Sequence, residues 1–348
     1  MDLCIDGRVV GDGHPVLIIG ELSANHLQDF DTAVESIKVM KECGVDAVKL
    51  QTYSPDTLTI DCEGDYFKIV GESLWDGSTY YNLYKNAFMP WDWQPKLKKI
   101  AEDLGLILFS SPFDKTSVDY LEDMDVGAYK IASFEITDIP LIEYVAATGK
   151  PVILSTGIAS LCDMESAVGA CKRMGNDQIA LLKCTSSYPA SFEEMNLKVI
   201  PHLKDTFNTP VGLSDHTLGT AVPVASVALG ACIIEKHFIL NRNLGGPDAD
   251  FSIEPSEFKL MVESVRNVEK ALGKVTYELT EKIKRNRIFS RSLFVVEDVK
   301  MGELFTENNV KSIRPGYGLH PKYIKIIIGR TAKQDISRGT PLSWDILL

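Results

Sequence analysis

The sequence has no run of lysines and arginines interleaved with aromatic residues, and its 36 basic residues are outnumbered by 48 acidic ones, giving a formal net charge of −12. This balance argues against a broad nucleic-acid surface, because phosphate backbones are bound by clustered positive charge. No apolar run approaches the length of a membrane span, and MDLCIDGRVVGDGHP carries charges and glycines where a signal peptide has an apolar core. We therefore expect a soluble protein that binds neither nucleic acid nor membrane; an anionic small substrate remains compatible with locally concentrated basic residues.

Cysteine is scarce and irregularly spaced. The seven cysteines stand at positions 4, 43, 62, 162, 171, 184 and 232, with no C-x-x-C pair. This pattern favours neither a disulfide framework nor a structural zinc site, and it predicts reduced thiols in a cytoplasmic protein. The dinucleotide-binding fingerprint GxGxxG is also missing after the first apolar run.

Short apolar runs rich in Val, Ile, Leu and Phe are what the sequence does have. Segments such as DTAVESIKVMKECG and WDWQPKLKKIAEDLG lie between them, with apolar residues three and four apart and a glycine near the end, as in amphipathic helices. Eight strands alternating with helices over about 275 residues predict an α/β fold of the (β/α)8 TIM-barrel type. An open doubly wound sheet is the alternative. The eight runs are PVLIIGELS (15–23), DAVKLQTY (46–53), LILFSSPF (106–113), AYKIASFE (128–135), PVILSTG (151–157), IALLKCTSSY (179–188), VGLSDH (211–216) and CIIEKHF (232–238).

Polar side chains are concentrated at the C-terminal end of each apolar run. Because the strands of a parallel barrel all end on the face where active sites of this architecture are built, these ends are expected to converge on one polar pocket. The residues are Glu21, Ser23, Lys49, Gln51, Ser110, Ser111, Lys130, Ser133, Glu135, Ser155, Thr156, Lys183, Thr185, Ser186, Ser214, Asp215, His216, Glu235, Lys236 and His237.

Two lysines stand out because each precedes a strand end by two or three residues. A lysine is rarely buried there unless it is paired or faces a ligand, and Lys49 and Lys130 with nearby hydroxyls suit a phosphate or carboxylate cradle. Two alternatives stay open. The lysines could form internal ion pairs with Glu21 or Glu135, or one of them could form a Schiff base as in an aldolase.

Two histidines end the seventh and eighth runs, which are neighbours in a closed barrel. His216 and His237 can therefore approach one another, and Glu21 of the first strand lies beside the eighth. Two imidazoles with oxygen ligands and no thiolate predict an open catalytic site for Mn²⁺ or Mg²⁺ rather than a structural zinc.

The chain changes character after the barrel. The predicted boundaries are a catalytic barrel over residues 1–275, a polar linker over 276–288 and a small domain over 289–348. The small domain contains two related segments, DVKMGE (298–303) and DISRGT (335–340), separated by the Pro- and Gly-rich loop SIRPGYGLHPKY. Such a short module is expected to pack on something, either as a folding appendage or as a lid that delivers Arg314 to an active site.

The motifs GELSANH, VKLQTY, SSPFD, YKIASFE, LSTG, KCTSSYP, GLSDHT, ALGACIIEKHF and SIRPGYGLHP resemble the sialic acid synthase family along essentially the whole chain. ELSANH, KIASFE, KCTSSYPA and the SLW segment are more similar to its pseudaminic acid synthase branch than to its N-acetylneuraminate branch. The resemblance implies a barrel followed by an antifreeze-like (SAF) domain that is swapped across a homodimer. It also implies condensation of phosphoenolpyruvate with an N-acetylated amino sugar, with Mn²⁺, Mg²⁺ or Co²⁺ as cofactor and release of phosphate.

The resemblance also assigns roles to particular residues. His216 and His237 hold the metal, while Lys49, Lys130, Ser133 and Ser155, with Ser111 and Phe113 nearby, hold phosphoenolpyruvate. Tyr188, Asp248 and Arg314 line the sugar side, Gln51 and Ser214 lie near the reacting centre, and Glu21 and Glu135 are the candidate proton handlers. Two departures bear on the choice of sugar: Ser186 replaces an asparagine of the N-acetylneuraminate enzymes, and Leu27-Gln28 replaces their usual Glu-Gly.

The expected reaction joins phosphoenolpyruvate, an open-chain 2,4-diacetamido-2,4,6-trideoxy hexose and water into a nine-carbon nonulosonic acid and phosphate. Synthesis of N-acetylneuraminate or legionaminate is the near alternative. From other classes, a Schiff-base pyruvate aldolase needs one lysine and no metal, and a carbohydrate-binding protein gives no reason for a pocket of lysines, carboxylates and histidines.

Overall fold

The computed structural model describes residues 2–70 and 75–348, so Ser73 and Leu74 of the SLW segment lie outside the described residues. The chain divides into two compact units, the first ending at Gly273 and the second spanning Lys274–Leu348. The strands are β1 (Leu3–Ile5), β2 (Arg8–Val10), β3 (Leu17–Glu21), β4 (Ala47–Thr52), β5 (Ile107–Pro112), β6 (Tyr129–Ile131), β7 (Val152–Ser155), β8 (Ile179–Cys184), β9 (Val211–Asp215), β10 (Ile233–His237), β11 (Ser292–Val295) and β12 (Val310–Ile313). The helices are α1 (Phe30–Cys43), α2 (Pro55–Leu58), α3 (Tyr80–Ala87), α4 (Gln94–Asp103), α5 (Lys115–Asp123), α6 (Ile139–Ala146), α7 (Leu161–Arg173), α8 (Val199–Phe207), α9 (Ala221–Ala228), α10 (Pro255–Leu272), α11 (Glu281–Asn286) and α12 (Ile324–Ile327).

The eight apolar runs form the strands of a closed parallel barrel, β3 to β10, which confirms the predicted (β/α)8 fold. β10 pairs with both β9 and β3, so the last strand closes onto the first. Between them the helices form where periodicity predicted. Asp29 caps the N-terminus of α1, where its carboxylate accepts the Thr32 N–H at 2.9 Å, and Gly44 caps the C-terminus with a φ of 89° in the left-handed region.

Register within the barrel decides which polar residues become neighbours. His237 lies opposite Glu21 where β10 pairs with β3, and Glu21 lies opposite Lys49 where β3 pairs with β4. Glu235 lies opposite Ser214 where β10 pairs with β9. Because side chains alternate along a strand, residues two apart such as Glu235 and His237 point to the same side.

A hairpin of β1 and β2 precedes the barrel and has no counterpart in the sequence-based prediction. Its turn is Asp6-Gly7, with φ of 46° and 78°, which suits the two-residue hairpin turns that require positive φ. Leu3 and Ile5 are buried in the same hydrophobic cluster as the barrel strands, so the hairpin belongs to the barrel core.

The second unit has its own small hydrophobic core, which includes Leu293, Phe305 and Ile327. Its two related segments pair with each other, because Val299 and Ile336 exchange backbone hydrogen bonds. The aspartates of the two segments act reciprocally: Asp335 accepts the Met301 N–H at 2.9 Å, and Asp298 accepts the Arg338 N–H at 2.7 Å. The sequence repeat is therefore a structural repeat.

Across residues 2–70 and 75–348, none of the helices combines the length and the apolar character needed to cross a bilayer. The cysteines at all seven positions are free thiols.

Candidate active site

A cavity of about 610 Å³ opens at the C-terminal ends of the barrel strands. It gathers most of the residues that the sequence singled out from distant parts of the chain. Those lining it are Glu21, Lys49, Gln51, Ser111, Phe113, Lys130, Ser133, Glu135, Ser155, Tyr188, Ser214, His216, His237 and Asp248.

A buried cluster of four charges forms the floor of the cavity. Lys49 Nζ lies 2.8 Å from Glu21 Oε2 and 2.8 Å from Glu235 Oε1. Lys130 Nζ contacts the same Glu235 oxygen at 2.6 Å, and the Ser214 hydroxyl donates to it at 3.0 Å. All four charged side chains are at most 4% exposed. The lysines are therefore ion-paired, with Glu235 rather than Glu135 as the shared partner.

The two lysines differ in how firmly they hold their protons. Burial opposes the charge of Lys49, but Glu21 and Glu235 outweigh it and raise its pKa above the ordinary range. For Lys130, burial and the neighbouring charge of Lys49 prevail over the attraction of Glu235, and its pKa is lowered. Both glutamates of the cluster have lowered pKa values, because the cations overcome the effect of burial.

The pKa of Glu135 is shifted in the opposite direction. It lies in a short 3₁₀ turn, Ser133–Glu135, directly after β6, and burial raises its pKa to about 7. Within the described part of the chain its Oε2 has no hydrogen-bond partner. A carboxyl group in this state can gain or lose a proton near neutral pH, which suits acid–base chemistry.

The two strand-end imidazoles are neighbours, with ring centroids 5.3 Å apart. His237 Nε2 lies 3.2 Å from Glu21 Oε2, while the buried His237 Nδ1 has no hydrogen-bond partner among the described residues. His216 Nδ1 lies 3.0 Å from the Thr185 carbonyl oxygen, which leaves Nε2 for a ligand. Burial lowers the pKa of His237 and keeps its ring neutral, as metal ligation requires.

The donor set fits a divalent ion with open coordination positions. The unpartnered His237 nitrogen is the kind of buried polar atom that a ligand satisfies. In residues 2–70 and 75–348, no group of three His, Cys, Asp or Glu side chains is arranged to hold a metal. Further ligands at this place must therefore come from substrate, water or a rearranged carboxylate.

Hydroxyl groups line the side of the cavity near β5 to β7. Ser111 Oγ and Ser155 Oγ are buried and lack partners within the described residues, while Ser133 Oγ accepts the Gly157 N–H at 3.1 Å. A Cβ atom at Gly157 would lie 2.7 Å from Ser133 Oγ and 2.1 Å from Ser186 Oγ, so any other residue here would displace these two hydroxyls. Unpartnered hydroxyls beside two lysines suit an oxyanion.

The opposite side of the cavity carries Tyr188 and Asp248. The Tyr188 ring lies 4.5 Å from that of His216 and 5.0 Å from that of Phe251, centroid to centroid. Asp248 accepts hydrogen bonds from the Ser23 hydroxyl and from the Ala24 N–H.

Two predicted site residues are not among those that line the cavity. Ser186 is beside Cys184, with 4.0 Å between Oγ and Sγ, and does not line the cavity. Arg314 belongs to the second unit, where it is exposed on the loop after β12.

The expectation that every strand-end polar residue faces the pocket is wrong. Lys236 and Asp215 form a fully buried ion pair and do not line the cavity. Lys183 also points away from it and donates to the Cys184 carbonyl. The physical reason is strand alternation, which sends Glu235 and His237 inward and Lys236 outward. The same alternation is the signal that could have identified Glu235, which was not among the predicted catalytic residues.

Comparison with known proteins agrees with this geometry. The sequence matches the NeuB family over residues 36–277 and the SAF domain over residues 290–348. Pseudaminic acid synthase of Campylobacter jejuni is 46% identical over 327 residues, which cover 94% of this chain and 95% of that protein. N,N'-diacetyllegionaminic acid synthase of Legionella pneumophila is 36% identical, with 96% and 95% covered.

Among solved structures, N-acetylneuraminic acid (sialic acid) synthetase from Leptospira borgpetersenii in complex with citrate is similar with a TM-score of 0.74 and 31% identity, covering 82% of this chain and 95% of that one. The resemblance to sialic acid synthases is thereby confirmed, and the chain belongs to the NeuB family.

Proposed function

We propose that this protein is a pseudaminic acid synthase. It joins C3 of phosphoenolpyruvate to the aldehyde carbon of an open-chain 2,4-diacetamido-2,4,6-trideoxy hexose, adds water at C2 and releases phosphate, giving a nine-carbon nonulosonic acid. The observation that carries the proposal is the buried lysine pair beside two adjacent imidazoles. The 46% identity to the Campylobacter jejuni synthase supports the choice of sugar.

The lysines and hydroxyls bind phosphoenolpyruvate. Lys49 and Lys130 provide charge for its phosphate and carboxylate, and the unpartnered Ser111 and Ser155 hydroxyls provide neutral donors. Glu235 holds both ammonium groups by one oxygen, so the two cations are positioned before the ligand arrives.

His216 and His237 would hold a divalent cation, Mn²⁺, Mg²⁺ or Co²⁺. The chemistry that such an ion supplies is polarisation of the aldehyde oxygen as a Lewis acid. The need for a cation also follows from charge: two glutamates already balance the two lysines, so an anion with both phosphate and carboxylate adds uncompensated negative charge.

Glu21 and Glu135, unlike Glu235, do not contact both lysines, and we assign them different roles. Burial opposes the charge of Glu21, but Lys49 and Lys130 keep it ionised, and it stabilises the positive charge that develops at C2. Glu135, with a pKa of about 7, exchanges a proton with the attacking water or the departing phosphate.

A Schiff-base aldolase is the second candidate, because the lowered pKa of Lys130 also suits a nucleophilic amine. Phosphate release from phosphoenolpyruvate separates the synthase from the aldolase. It is measured with three sugars: the trideoxy precursor of pseudaminic acid, the legionaminic precursor and N-acetylmannosamine. The proposal is supported if phosphate release is strongest with the precursor of pseudaminic acid and is abolished by EDTA and by His237→Ala. His202→Ala, at an exposed histidine, is the control and should leave the release unchanged. Borohydride inactivation with pyruvate, or turnover unaffected by EDTA, contradicts it.

We further propose that the protein is a cytoplasmic, domain-swapped homodimer in which Arg314 reaches the site of the partner subunit. The free thiols support the compartment. The start of the second unit supports self-association, because Val275 and Tyr277 are each 95% exposed and Phe289 is 65% exposed. Apolar side chains this exposed are expected to be covered by another surface.

A further inference from the structure

One wall of the active-site cavity is apolar and is built from a single helix and the segment before it. α3 presents Tyr80, Leu83, Tyr84 and Ala87 to the cavity, a spacing of i, i+3, i+4 and i+7 that places them on one helix face. Ile69 is buried beside them. We call these five residues the α3 wall; none of them carries a charge.

The α3 wall continues into the charged part of the cavity through stacked aromatic rings. Tyr80 stacks on Tyr84 with centroids 6.2 Å apart, and Tyr84 meets Tyr53 edge-on at 5.8 Å. Tyr53 in turn meets Phe113 at 5.2 Å, and Phe113 follows the end of β5, two residues after Ser111. The cavity therefore passes from hydroxyls and ammonium groups to hydrocarbon and aromatic surface.

Hydrogen bonds hold this wall in place from the barrel side. Gln28 donates to the Asn86 carbonyl at 3.3 Å and to the Phe88 carbonyl, which fixes the end of α3. Gln28 is one of the two residues that depart from the N-acetylneuraminate pattern. Trp91 Nε1 donates to the Tyr53 carbonyl at 3.0 Å, and Trp75 Nε1 donates to the Pro247 carbonyl at 3.2 Å.

The orientation of the sugar follows from where its aldehyde must lie. The bond-forming carbon has to meet phosphoenolpyruvate between the lysines and the imidazoles, so the rest of the open chain extends away from the charged cluster. We propose that the α3 wall selects the sugar by receiving its far end, and that it accepts the methyl group of a 6-deoxy hexose and rejects a 6-hydroxyl. This inference rests on the proposed function and assigns the specificity to residues that the motifs did not mark.

The discrimination has a physical source of known size. A methyl group against Leu83, Ala87 and Ile69 releases water, whereas a hydroxyl group packed on these three side chains loses its hydrogen bonds to water and gains none from them. Apolar pockets discriminate between such close analogues by roughly 10- to 200-fold in kcat/KM.

The test compares two sugars that differ only at C6, the 2,4-diacetamido-2,4,6-trideoxy hexose and its 6-hydroxy counterpart. For the wild-type protein we expect kcat/KM to favour the 6-deoxy sugar by at least about tenfold. Leu83→Gln, which keeps the size and helix propensity but offers a polar group, is expected to reduce that ratio severalfold, mainly through better use of the 6-hydroxy sugar. Leu83→Met is expected to retain the ratio, and so is Lys85→Gln on the exposed face of α3.

The outcomes separate this inference from the reaction itself. Equal use of both sugars by the wild type, or an unchanged ratio in a folded Leu83→Gln protein, overturns the role of the α3 wall and leaves the synthase reaction standing. If the protein releases no phosphate with either of these sugars or with N-acetylmannosamine, the proposed function and the inference are both overturned.

Discussion

Lys49 and Lys130 share one carboxylate oxygen, yet they are not equivalent. Lys49 contacts both Glu21 and Glu235, whereas Lys130 contacts Glu235 alone among those two. Removing Lys49 therefore leaves two buried carboxylates short of a partner, while removing Lys130 leaves one that still contacts Lys49. Breaking a buried pair by removing one partner is costly, because the remaining charge is uncompensated.

We predict that Lys49→Met and Lys130→Met both weaken use of phosphoenolpyruvate far more than binding of the sugar. Each variant removes a charge-assisted hydrogen bond to an anion, worth about 1.5–3 kcal/mol. Lys49→Met is also expected to lower the free energy of unfolding more than Lys130→Met does, because it leaves two buried carboxylates short of a partner. Steady-state kinetics with each substrate varied in turn, together with urea unfolding, measures both effects.

Lys183→Met is the matched control, since Lys183 is also a buried strand lysine but faces away from the cavity. Its KM for phosphoenolpyruvate is expected to stay at the wild-type value. If Lys49→Met and Lys130→Met impair only the sugar, the two ends of the cavity have been assigned in the wrong order.

Glu135 gives a second prediction at this scale, concerning pH. Its pKa is raised to about 7 by burial, from 4.5, so the folded protein binds a proton more tightly than the unfolded chain. Its contribution to stability is therefore present at low pH and is lost as pH rises through about 7. Glu135→Gln, which stays neutral, is expected to match the wild type near pH 5 and to be the more stable protein above pH 7.

Urea unfolding of the ligand-free protein across this pH range measures the effect, and the exposed Glu193→Gln serves as control. A stability difference that does not change with pH would show that the Glu135 carboxyl does not have the raised pKa described.

The strand is the next scale, and β10 shows what its alternation does. Glu235 and His237 face the cavity, while Lys236 between them pairs with Asp215 of β9 outside it. Asp215 also accepts from the Thr217 N–H at 3.1 Å, and Lys236 donates to the Thr217 carbonyl. The pair thus ties together, on the outer side, the two strand ends that carry His216 and His237.

We predict that Lys236→Met lowers the free energy of unfolding by about 3–5 kcal/mol, because Asp215 is left buried with an unpaired charge. Adding Asp215→Leu is expected to restore part of that loss, since an apolar pair of similar volume removes the stranded charge. The measurement is a double-mutant cycle by urea unfolding. Losses that simply add would mean that the two side chains do not interact.

The elements were predictable to different degrees for physical reasons. The eight barrel strands could be found because each is buried on both faces and so forms a continuous apolar run. β1 and β2 were missed, as three residues each are too few to show alternation, although Asp6-Gly7 is a hairpin signal. Lys236 shares a strand end with Glu235 and His237, and only the alternation of side chains along β10 shows that it faces the other way. The α3 wall was not predicted, because the motifs contain the polar residues of the site and YYNLYKNA shows only the apolar spacing of an amphipathic helix.

At the scale of the whole molecule, the chain combines a barrel that holds the charged cluster with a second unit that carries Arg314. The cavity in the barrel contains Lys49 and Lys130, but Glu21 and Glu235 already balance the charge of these two lysines. An arginine brought from another subunit would add planar donors suited to an N-acetyl carbonyl. Residues from two chains would then complete each site.

This arrangement predicts complementation between two inactive variants. Arg314→Ala and His237→Ala are expected to be inactive or nearly so alone, but a heterodimer of the two contains one site with both defects and one with neither. Random reassortment makes half of the dimers mixed, so activity should return to about a quarter of the wild-type level after co-expression. Size measurement must first show a dimer, and co-purification of differently tagged subunits must show that mixed dimers have formed. If Arg314 serves the barrel of its own chain, every site in the heterodimer carries one defect, and no mixture exceeds the parent proteins.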